Sequence, residues 1–284
     1  MKIKITTDST VDLPKEMLES HGISVIYIPV ILGDKEYTDD ITPEEMYAYV
    51  KKTGNLPKTA APNAQNYIDF FSKYAKEYDE VIHFSVSSGI SLSCQSALDG
   101  VKEGGFKNVR VVDGQSLSTG TALLCLKACD MIKEGKSAAE IVAAAEGMKS
   151  KLQVSFIIDT MEFLYKNGRC SALSAFVASK LSIKPTIIMN ANGDGKMRPG
   201  RKYLAKITRA ASKYADNIME ANPDPDLTRC FVTYTAGTTD KIVETVRAKV
   251  AAKYPFKEII PTTAGPTITA HCGKGTIGIL YLKN

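Results

Sequence analysis

Short apolar runs alternate with segments of helical periodicity along the first half of the chain. The apolar runs are rich in residues that favour β-strands, and they lie at 3–7, 24–30, 80–86 and 109–112. The segments between them repeat apolar residues at helical spacing, and they lie at 14–20, 43–52, 63–77, 91–103, 117–133 and 138–150. This alternation predicts an N-terminal three-layer α/β/α domain with a mostly parallel sheet, over residues 1–151.

The second half has more strands and fewer helices. Its strand-like runs lie at 153–158, 185–189, 196–201, 230–235, 258–261 and 278–282. Only 205–221 and 241–253 have long helical periodicity, and the polar turn at 190–195 predicts a hairpin. We therefore expect a C-terminal two-layer α/β domain over residues 152–284, with a mixed six-stranded sheet and helices on one face.

Two of the predicted helices begin with a capping box, in which a hydroxyl and a carboxylate three residues later satisfy each other's backbone N–H groups. The pairs are Thr42 with Glu45 and Ser137 with Glu140. They support the helix starts near residues 43 and 138.

Composition narrows the class of protein. A chain of 284 residues with 44% hydrophobic residues can bury substantial cores. The formal net charge of +5 is too small over this length to indicate a nucleic-acid-binding protein. The six cysteines form no CxxC pair, which predicts reduced thiols. With no signal-type or membrane-spanning stretch, the sequence predicts a cytoplasmic location.

Two motifs match a known pattern but lack its context. Residues 273–278 read G-x-G-x-x-G, yet a strand follows where a dinucleotide-binding motif requires a helix. Residues 190–195 imitate the start of a calcium loop, but Arg201 stands where the bidentate glutamate belongs. Because the three histidines also lack ligand spacing, we expect no metal and no cofactor.

Hydroxyl-rich loops are the remaining candidates for chemistry. The segments 8–10, 57–62 and 85–91 carry Thr59, Ser87, Ser88 and Ser91 among other hydroxyls, and the last two segments lie just ahead of predicted helices. Free N–H groups at a helix N-terminus favour an anion. Plain helix capping is the better explanation of any one loop taken alone, whereas three such loops in one half of the chain favour a binding site.

An enzyme interpretation pairs Ser88 or Ser91 with His271, as in a serine hydrolase acting on an acyl ester. No G-x-S-x-G motif supports it. His83 lies in the middle of a predicted strand, where a core histidine is expected. His271 lies in a segment rich in glycine and threonine, which predicts a loop, and it is better placed for function.

Arg169 follows a short predicted helix that Gly168 ends. A solvated arginine and an arginine that binds a carboxylate or a phosphate both fit this position.

Taken together, these segments resemble the DegV family, the fatty-acid-binding proteins of the bacterial fatty-acid kinase system. The resemblance extends over the whole chain. It is carried by residues 8–10, by Thr59 and Pro62, by residues 87–91 with 95–97, by 159–171 with Gly168 and Arg169, and by 265–278 with His271.

The resemblance implies two α/β domains with a long-chain fatty acid between them and its acyl chain in an apolar tunnel. The ligand-binding residues that it implies are Thr59, Ser87, Ser88, Gly89, Ser91, Arg169 and His271. Thr59 and the 87–91 loop would bind the carboxylate, His271 would join their hydrogen bonds, and Arg169 would lie close to the head group. It further implies that the protein is a carrier with no catalytic residue, and that a separate acyl kinase, similar to dihydroxyacetone kinases, phosphorylates the bound acid.

The sequence departs from the family pattern beside three of these positions. Ala60 and Ala61 stand where Ser and Gln are usual, residues 92–94 read Leu-Ser-Cys in place of Gly-Thr-Tyr, and Cys170 replaces a common Ile. The hydroxyl donors themselves are retained.

A basic stretch without acidic residues runs from 196 to 213. Its positive residues are Lys196, Arg198, Arg201, Lys202, Lys206, Arg209 and Lys213. A solvated face is one interpretation, and transient docking to an anionic membrane or to an acidic partner is the other.

Overall fold

The computed structural model describes residues 1–174 and 183–284, which form thirteen strands and ten α-helices. The strands are β1 (Ile3–Asp8), β2 (Ser24–Ile26), β3 (Val30–Leu32), β4 (Lys35–Tyr37), β5 (Lys58–Thr59), β6 (Glu80–Ser85), β7 (Val109–Asp113), β8 (Leu152–Ile157), β9 (Ile183–Met189), β10 (Met197–Leu204), β11 (Pro225–Tyr234), β12 (Glu258–Thr263) and β13 (Ile277–Lys283). The helices are α1 (Lys15–Ser20), α2 (Pro43–Thr53), α3 (Ala64–Ser72), α4 (Ser93–Glu103), α5 (Thr119–Lys133), α6 (Ala138–Met148), α7 (Glu162–Lys166), α8 (Ile207–Ala221), α9 (Asp240–Lys253) and α10 (Pro266–Cys272).

The first sheet is parallel, in the order β2-β1-β6-β7. Helices α3 and α4 cover one face through a core that includes Tyr67, Phe71 and Ala97. Helices α5 and α6 pack on the opposite face. The predicted three-layer α/β/α arrangement is confirmed.

The predicted strand at 24–30 is wrong as a single element. It divides into β2, which joins the parallel sheet, and β3, which joins β4 and β5 in a small antiparallel sheet. Pro29 lies at the break, and proline has no N–H to donate to a strand ladder. Thr59, which we expected in a loop, is therefore held in β5 opposite Val30.

Both predicted capping boxes are present, at Thr42 with Glu45 and at Ser137 with Glu140. A third capping box, between Asn63 and Asn66, begins α3. It was not predicted, because the third helical residue is an amide rather than an acid. Helix α3 also ends at Ser72, five residues earlier than predicted.

The second sheet is mixed, in the order β10-β9-β8-β13-β11-β12, and only the β11–β12 pair is parallel. Helices α8 and α9 cover one face through Tyr214 and Val246. The hairpin at 190–195 joins β9 to β10 as predicted, with Asn190 at φ +54°. Residues 273–276 form the turn from α10 into the last strand, so the G-x-G-x-x-G segment has the context we expected.

Helix α5 lies between the two sheets. It contacts β1 and β6 of the first sheet and β8, β11 and β13 of the second. Its side chains share one core with Phe84 on one side and with Phe156 and Phe231 on the other. The first sheet ends at residue 113 and the second begins at residue 152, and the boundary between residues 151 and 152 stays a prediction.

Candidate functional site

A cavity of about 250 Å³ is lined by residues from both halves of the chain. Much of its wall is apolar and comes from Ile28, Val86, Ile90, Leu117, Leu164 and Ile268. Its polar side chains are Thr10, Thr59, Ser91, Arg169, Thr267 and His271. Apolar walls with a few polar groups are typical of a site for a small amphipathic molecule.

Thr59 and His271 form the closest polar pair on this wall, with 2.8 Å between Thr59 Oγ1 and His271 Nε2. The two residues are 212 positions apart, so the hydrogen bond joins β5 to α10. His271 Nδ1 is buried and has no hydrogen-bond partner among the described residues. Burial and the nearby charge of Arg169 lower the pKa of His271 to about 3, so the imidazole is neutral at pH 7.

Our expectation that His271 lies in a loop is wrong, because residues 266–272 form helix α10. Pro266 occupies its first turn, where the missing N–H is not needed, and Gly265 precedes it. The threonines and the flanking glycines concealed a helix of only seven residues. The helix places Thr267, Ile268 and His271 on the cavity.

Arg169 follows Gly168, which ends the turn after α7 at φ +69°. Its Nη1 donates to Asn167 O at 2.7 Å, and burial lowers its pKa without removing the charge. The side chain of Asn167 donates to Pro57 O at 3.2 Å and to Ala270 O at 3.0 Å. These bonds join the Arg169 turn to the segments that carry Thr59 and His271.

The serine loop is divided between the cavity and other contacts. Ser91 lies on the cavity wall, and its hydroxyl is 2.9 Å from Ser93 Oγ at the start of α4. Ser88 is exposed, and its hydroxyl donates to Asp113 Oδ2 at 2.5 Å.

Ser87 and Gly89 contact the hairpin of the second sheet. Ser87 Oγ is buried and donates to Gly195 O at 2.6 Å. A Cβ atom on Gly89 would lie 2.5 Å from the same carbonyl oxygen, so only glycine allows this approach. Of the seven predicted site residues, the structure brings Thr59, Ser91, Arg169 and His271 to the cavity, and Ser87, Ser88 and Gly89 lie beside it. The binding role of all seven stays a prediction.

Two buried carboxylates beside the cavity are not among the predicted ligand-binding residues. Asp8 accepts from Val86 N at 3.0 Å, and burial raises its pKa to about 6. Asp12 accepts from Gly265 N at 2.8 Å and from the Ser118 hydroxyl, and burial raises its pKa to about 7. The only sequence signal for Asp12 was its place just after the hydroxyl-rich segment 8–10.

His83 is a core histidine, as its position in a strand predicted. It is fully buried, its Nδ1 lies 3.1 Å from Thr6 Oγ1, and its ring makes T-shaped contacts with the rings of Tyr67 and Phe71. Burial lowers its pKa to about 3.

Residues 1–174 and 183–284 contain no group of three or more histidine, cysteine or acidic side chains arranged to hold a metal ion. All six cysteines are buried, and none forms a disulfide. Within the same ranges, no helix combines the length and the apolar character needed to cross a bilayer.

The fold and the cavity define an α/β protein with two large sheets, a small third sheet, and an apolar site lined from both halves of the chain. The chain belongs to the DegV family, whose model, described as that of an uncharacterised protein family, matches residues 2–284. The sequence is 29% identical to a DegV domain-containing protein of Clostridium perfringens, over 99% of this chain and 97% of that protein.

Two solved structures have the same fold over all of both chains. One is a DegV family protein from Thermus thermophilus whose structure is described as showing fatty acid binding, with a TM-score of 0.89 and 26% identity. The other is DegV of Bacillus subtilis, described as a fatty acid binding protein, with a TM-score of 0.82 and 27% identity.

The buried carboxyl group of Asp12 should make the stability of the folded protein depend on pH. Because the folded protein holds the Asp12 proton up to about pH 7 and an ordinary aspartate releases it near 3.8, rising pH destabilises the fold through this group. Asp12→Asn removes this titration and can keep both hydrogen bonds, since its amide can donate to the Ser118 hydroxyl. The stability of Asp12→Asn relative to the wild type should therefore increase by on the order of 2 kcal/mol between about pH 5 and pH 7.

Urea denaturation of both proteins at several pH values measures this difference. Comparing the two proteins cancels the titration of His83 and His271, which acts in the opposite direction. Parallel stability profiles would mean that Asp12 titrates in the folded protein as it does in the unfolded chain.

Proposed function

We propose that this protein binds a long-chain fatty acid, with the carboxylate at the Thr59–His271 pair and the acyl chain along the apolar wall, and that it presents the acid to a separate acyl kinase. The observation that carries the proposal is the composition of the cavity, which combines aliphatic walls with a small hydroxyl, imidazole and guanidinium group. The fatty-acid-binding relatives from Thermus thermophilus and Bacillus subtilis support it.

The polar group has the donors that a carboxylate needs. A carboxylate removed from water must regain hydrogen bonds or meet a positive charge. The hydroxyls of Thr59 and Ser91 can donate, and Arg169 supplies a cation that is always charged. His271 is neutral, so it can orient the Thr59 hydroxyl without adding a second buried charge.

The aliphatic wall accounts for affinity. Each buried methylene contributes about 0.8 kcal/mol, so roughly 14 methylenes supply on the order of 11 kcal/mol before the cost of ordering the chain. The head-group contacts then need only to compensate the carboxylate for the water it loses. An acyl chain that supplies the affinity and a head group that is only hydrogen-bonded suit a carrier, which must hold its ligand without transforming it.

Native mass spectrometry of the purified protein tests the proposal directly. We expect a co-purifying mass that corresponds to a fatty acid of roughly 12 to 20 carbons, because shorter chains bury too few methylenes to survive purification. If no acid co-purifies and added fatty acid does not bind, the proposed function is wrong.

The same preparation discriminates the carrier from a serine hydrolase. Ser91 bonds to Ser93, Ser88 bonds to Asp113, and His271 bonds to Thr59, so neither candidate serine is hydrogen-bonded to His271. A serine that no histidine base activates is a weak nucleophile. A fluorophosphonate probe should therefore leave the protein unlabelled, and labelling of Ser88 or Ser91 would support the hydrolase.

The role of Thr59 is tested by Thr59→Val, which keeps the shape of the side chain and removes the hydroxyl. Loss of one hydrogen bond to a charged group costs about 1.5–3 kcal/mol, so affinity should fall by roughly 10- to 100-fold while some lipid stays bound. Titration with a fluorescent fatty acid measures the change. Thr245→Val, on α9, is the matched control and should bind as the wild type does. If the affinity of Thr59→Val is unchanged, the Thr59 hydroxyl does not bind the carboxylate.

The basic stretch at 196–213 supplies a candidate docking surface for the kinase or for an anionic membrane. Part of its charge is used internally, since Arg198 forms a two-point ion pair with Asp194 and Arg201 donates to Asn217. Lys206 and Arg209 are exposed. On the same surface Leu204 is 74% exposed, and an exposed leucine among cations is the composition that an amphipathic surface requires.

Reversing two of these charges tests whether the stretch docks the kinase. The double variant Arg201→Glu, Lys206→Glu should slow acyl-phosphate formation by the acyl kinase, because it weakens electrostatic steering towards an acidic surface. The lipid content by mass spectrometry should not change. Reversal of Lys76 and Lys107, which are exposed on the first domain, is the matched control. A turnover rate equal to that of the control would mean that this surface does not dock the kinase. If the wild type binds anionic vesicles and the double variant does not, the surface docks a membrane instead.

A further inference from the structure

Asp12 joins two separate walls of the cavity. Its carboxylate accepts from the hydroxyl of Ser118, just before α5, and from the backbone N–H of Gly265, just before α10. The partners lie 106 and 253 positions away along the chain. Leu117 precedes Ser118, and Ile268 lies in the first turn of α10, so each bond holds the backbone beside one apolar lining residue.

Those lining residues separate the main cavity from a second, smaller one. The second cavity has a volume of about 20 Å³, and Phe156 and Leu280 of the second sheet contribute to its wall. Leu117, Ile268 and Cys272 line both cavities. These three side chains therefore form the partition between the two spaces.

Both residues of the Asp12–Ser118 bond have a positive φ. Asp12 has φ +51° and Ser118 has φ +53°, with ψ −143° at Ser118. Aspartate tolerates its angles, whereas serine adopts those of Ser118 only where surrounding contacts hold it. On the opposite side, a Cβ atom on Gly265 would lie 3.2 Å from Asp12 Oδ1, so the approach of α10 to the carboxylate is also close.

We propose that Asp12 is a positioning residue that fixes the partition formed by Leu117 and Ile268, and that it thereby sets the length of acyl chain that the site accepts. The inference rests on the proposed function, because it assigns the depth of the same site. With both bonds made, the partition separates the two cavities and limits the reach of the chain. Without them, the Leu117 turn and α10 can move apart, and the chain can extend towards Phe156 and Leu280.

The test compares the affinities of saturated fatty acids of 12 to 20 carbons for the wild type, Asp12→Ala and Asp12→Asn, by displacement of a fluorescent fatty acid. Each buried methylene changes affinity by about fourfold. In Asp12→Ala the ratio of 18-carbon to 14-carbon affinity should rise by at least about fourfold, which corresponds to the burial of one more methylene group. Asp12→Asn tolerates the positive φ and can make both hydrogen bonds, so it should keep the wild-type ratio.

A merely structural role predicts a different result. Tyr214→Phe is the matched control, because it removes buried hydrogen bonds to Ser155 and Ile279 on the face of the second sheet that α8 covers. It should lower stability without changing the ratio between chain lengths. An unchanged ratio in Asp12→Ala, or an equal change in Tyr214→Phe, would overturn the proposal.

A second variant covers the case in which Asp12→Ala does not fold. Ser118→Gly removes one of the two bonds, and glycine adopts the backbone angles of this position without strain. The ratio of 18-carbon to 14-carbon affinity should rise in this variant, and an unchanged ratio would overturn the proposal. If the wild type binds no fatty acid of any length, the proposed function fails. If the wild type binds but the variants keep its length preference, only the role of Asp12 fails.

Discussion

The burial of α5 between two sheets is the constraint on which the rest of the structure depends. From Thr119 to Leu126 every residue of this helix is buried, and its side chains contact strands of both sheets. A helix that is apolar on nearly all sides needs protein on nearly all sides. The two sheets therefore share one core across α5, and the cavity lies where the turn before this helix meets α10.

This shared core explains how distant segments form one site. The Thr59–His271 bond joins residues that are 212 positions apart in the chain, and the side chain of Asn167 reinforces it by donating to carbonyl groups of both neighbouring segments. The neutral state of His271 follows from the same packing, since burial and the Arg169 charge both oppose its protonation. The site thus carries one positive charge and several neutral donors, a balance that matches a single carboxylate.

The sequence predicted what depends on local pattern. The two capping boxes, the apolar helix α5, the hairpin at Asn190 and the two sheet types follow from residues within a few positions of one another, and the structure has all of them. Local pattern did not predict the break at Pro29. The run from 24 to 30 looks continuous in hydrophobicity, but the missing N–H of Pro29 divides it between two sheets. Helix α10 was missed because threonines and glycines favour turns when tertiary packing is not considered.

The candidate site was predictable only in part. Thr59, Ser91, Arg169 and His271 were candidates from their local sequence, the resemblance to the DegV family joined them into one predicted site, and all four lie on the cavity. Asp12 carried no comparable signal, since its two partners are 106 and 253 positions away and one of them is a backbone group. No periodicity or spacing in a single sequence encodes such a pairing.

The buried carboxyl group of Asp12 lowers the stability of the fold as it ionises. Burial raises its pKa to about 7, because water would solvate the ionised form better than the protein interior does. An asparagine could make the same two hydrogen bonds without this cost. The two bonds matter because Ser118 has φ +53°, an angle that serine rarely adopts unless surrounding contacts hold it. The physical role of Asp12 is therefore to hold a costly conformation beside the cavity, rather than to add to the overall stability of the fold.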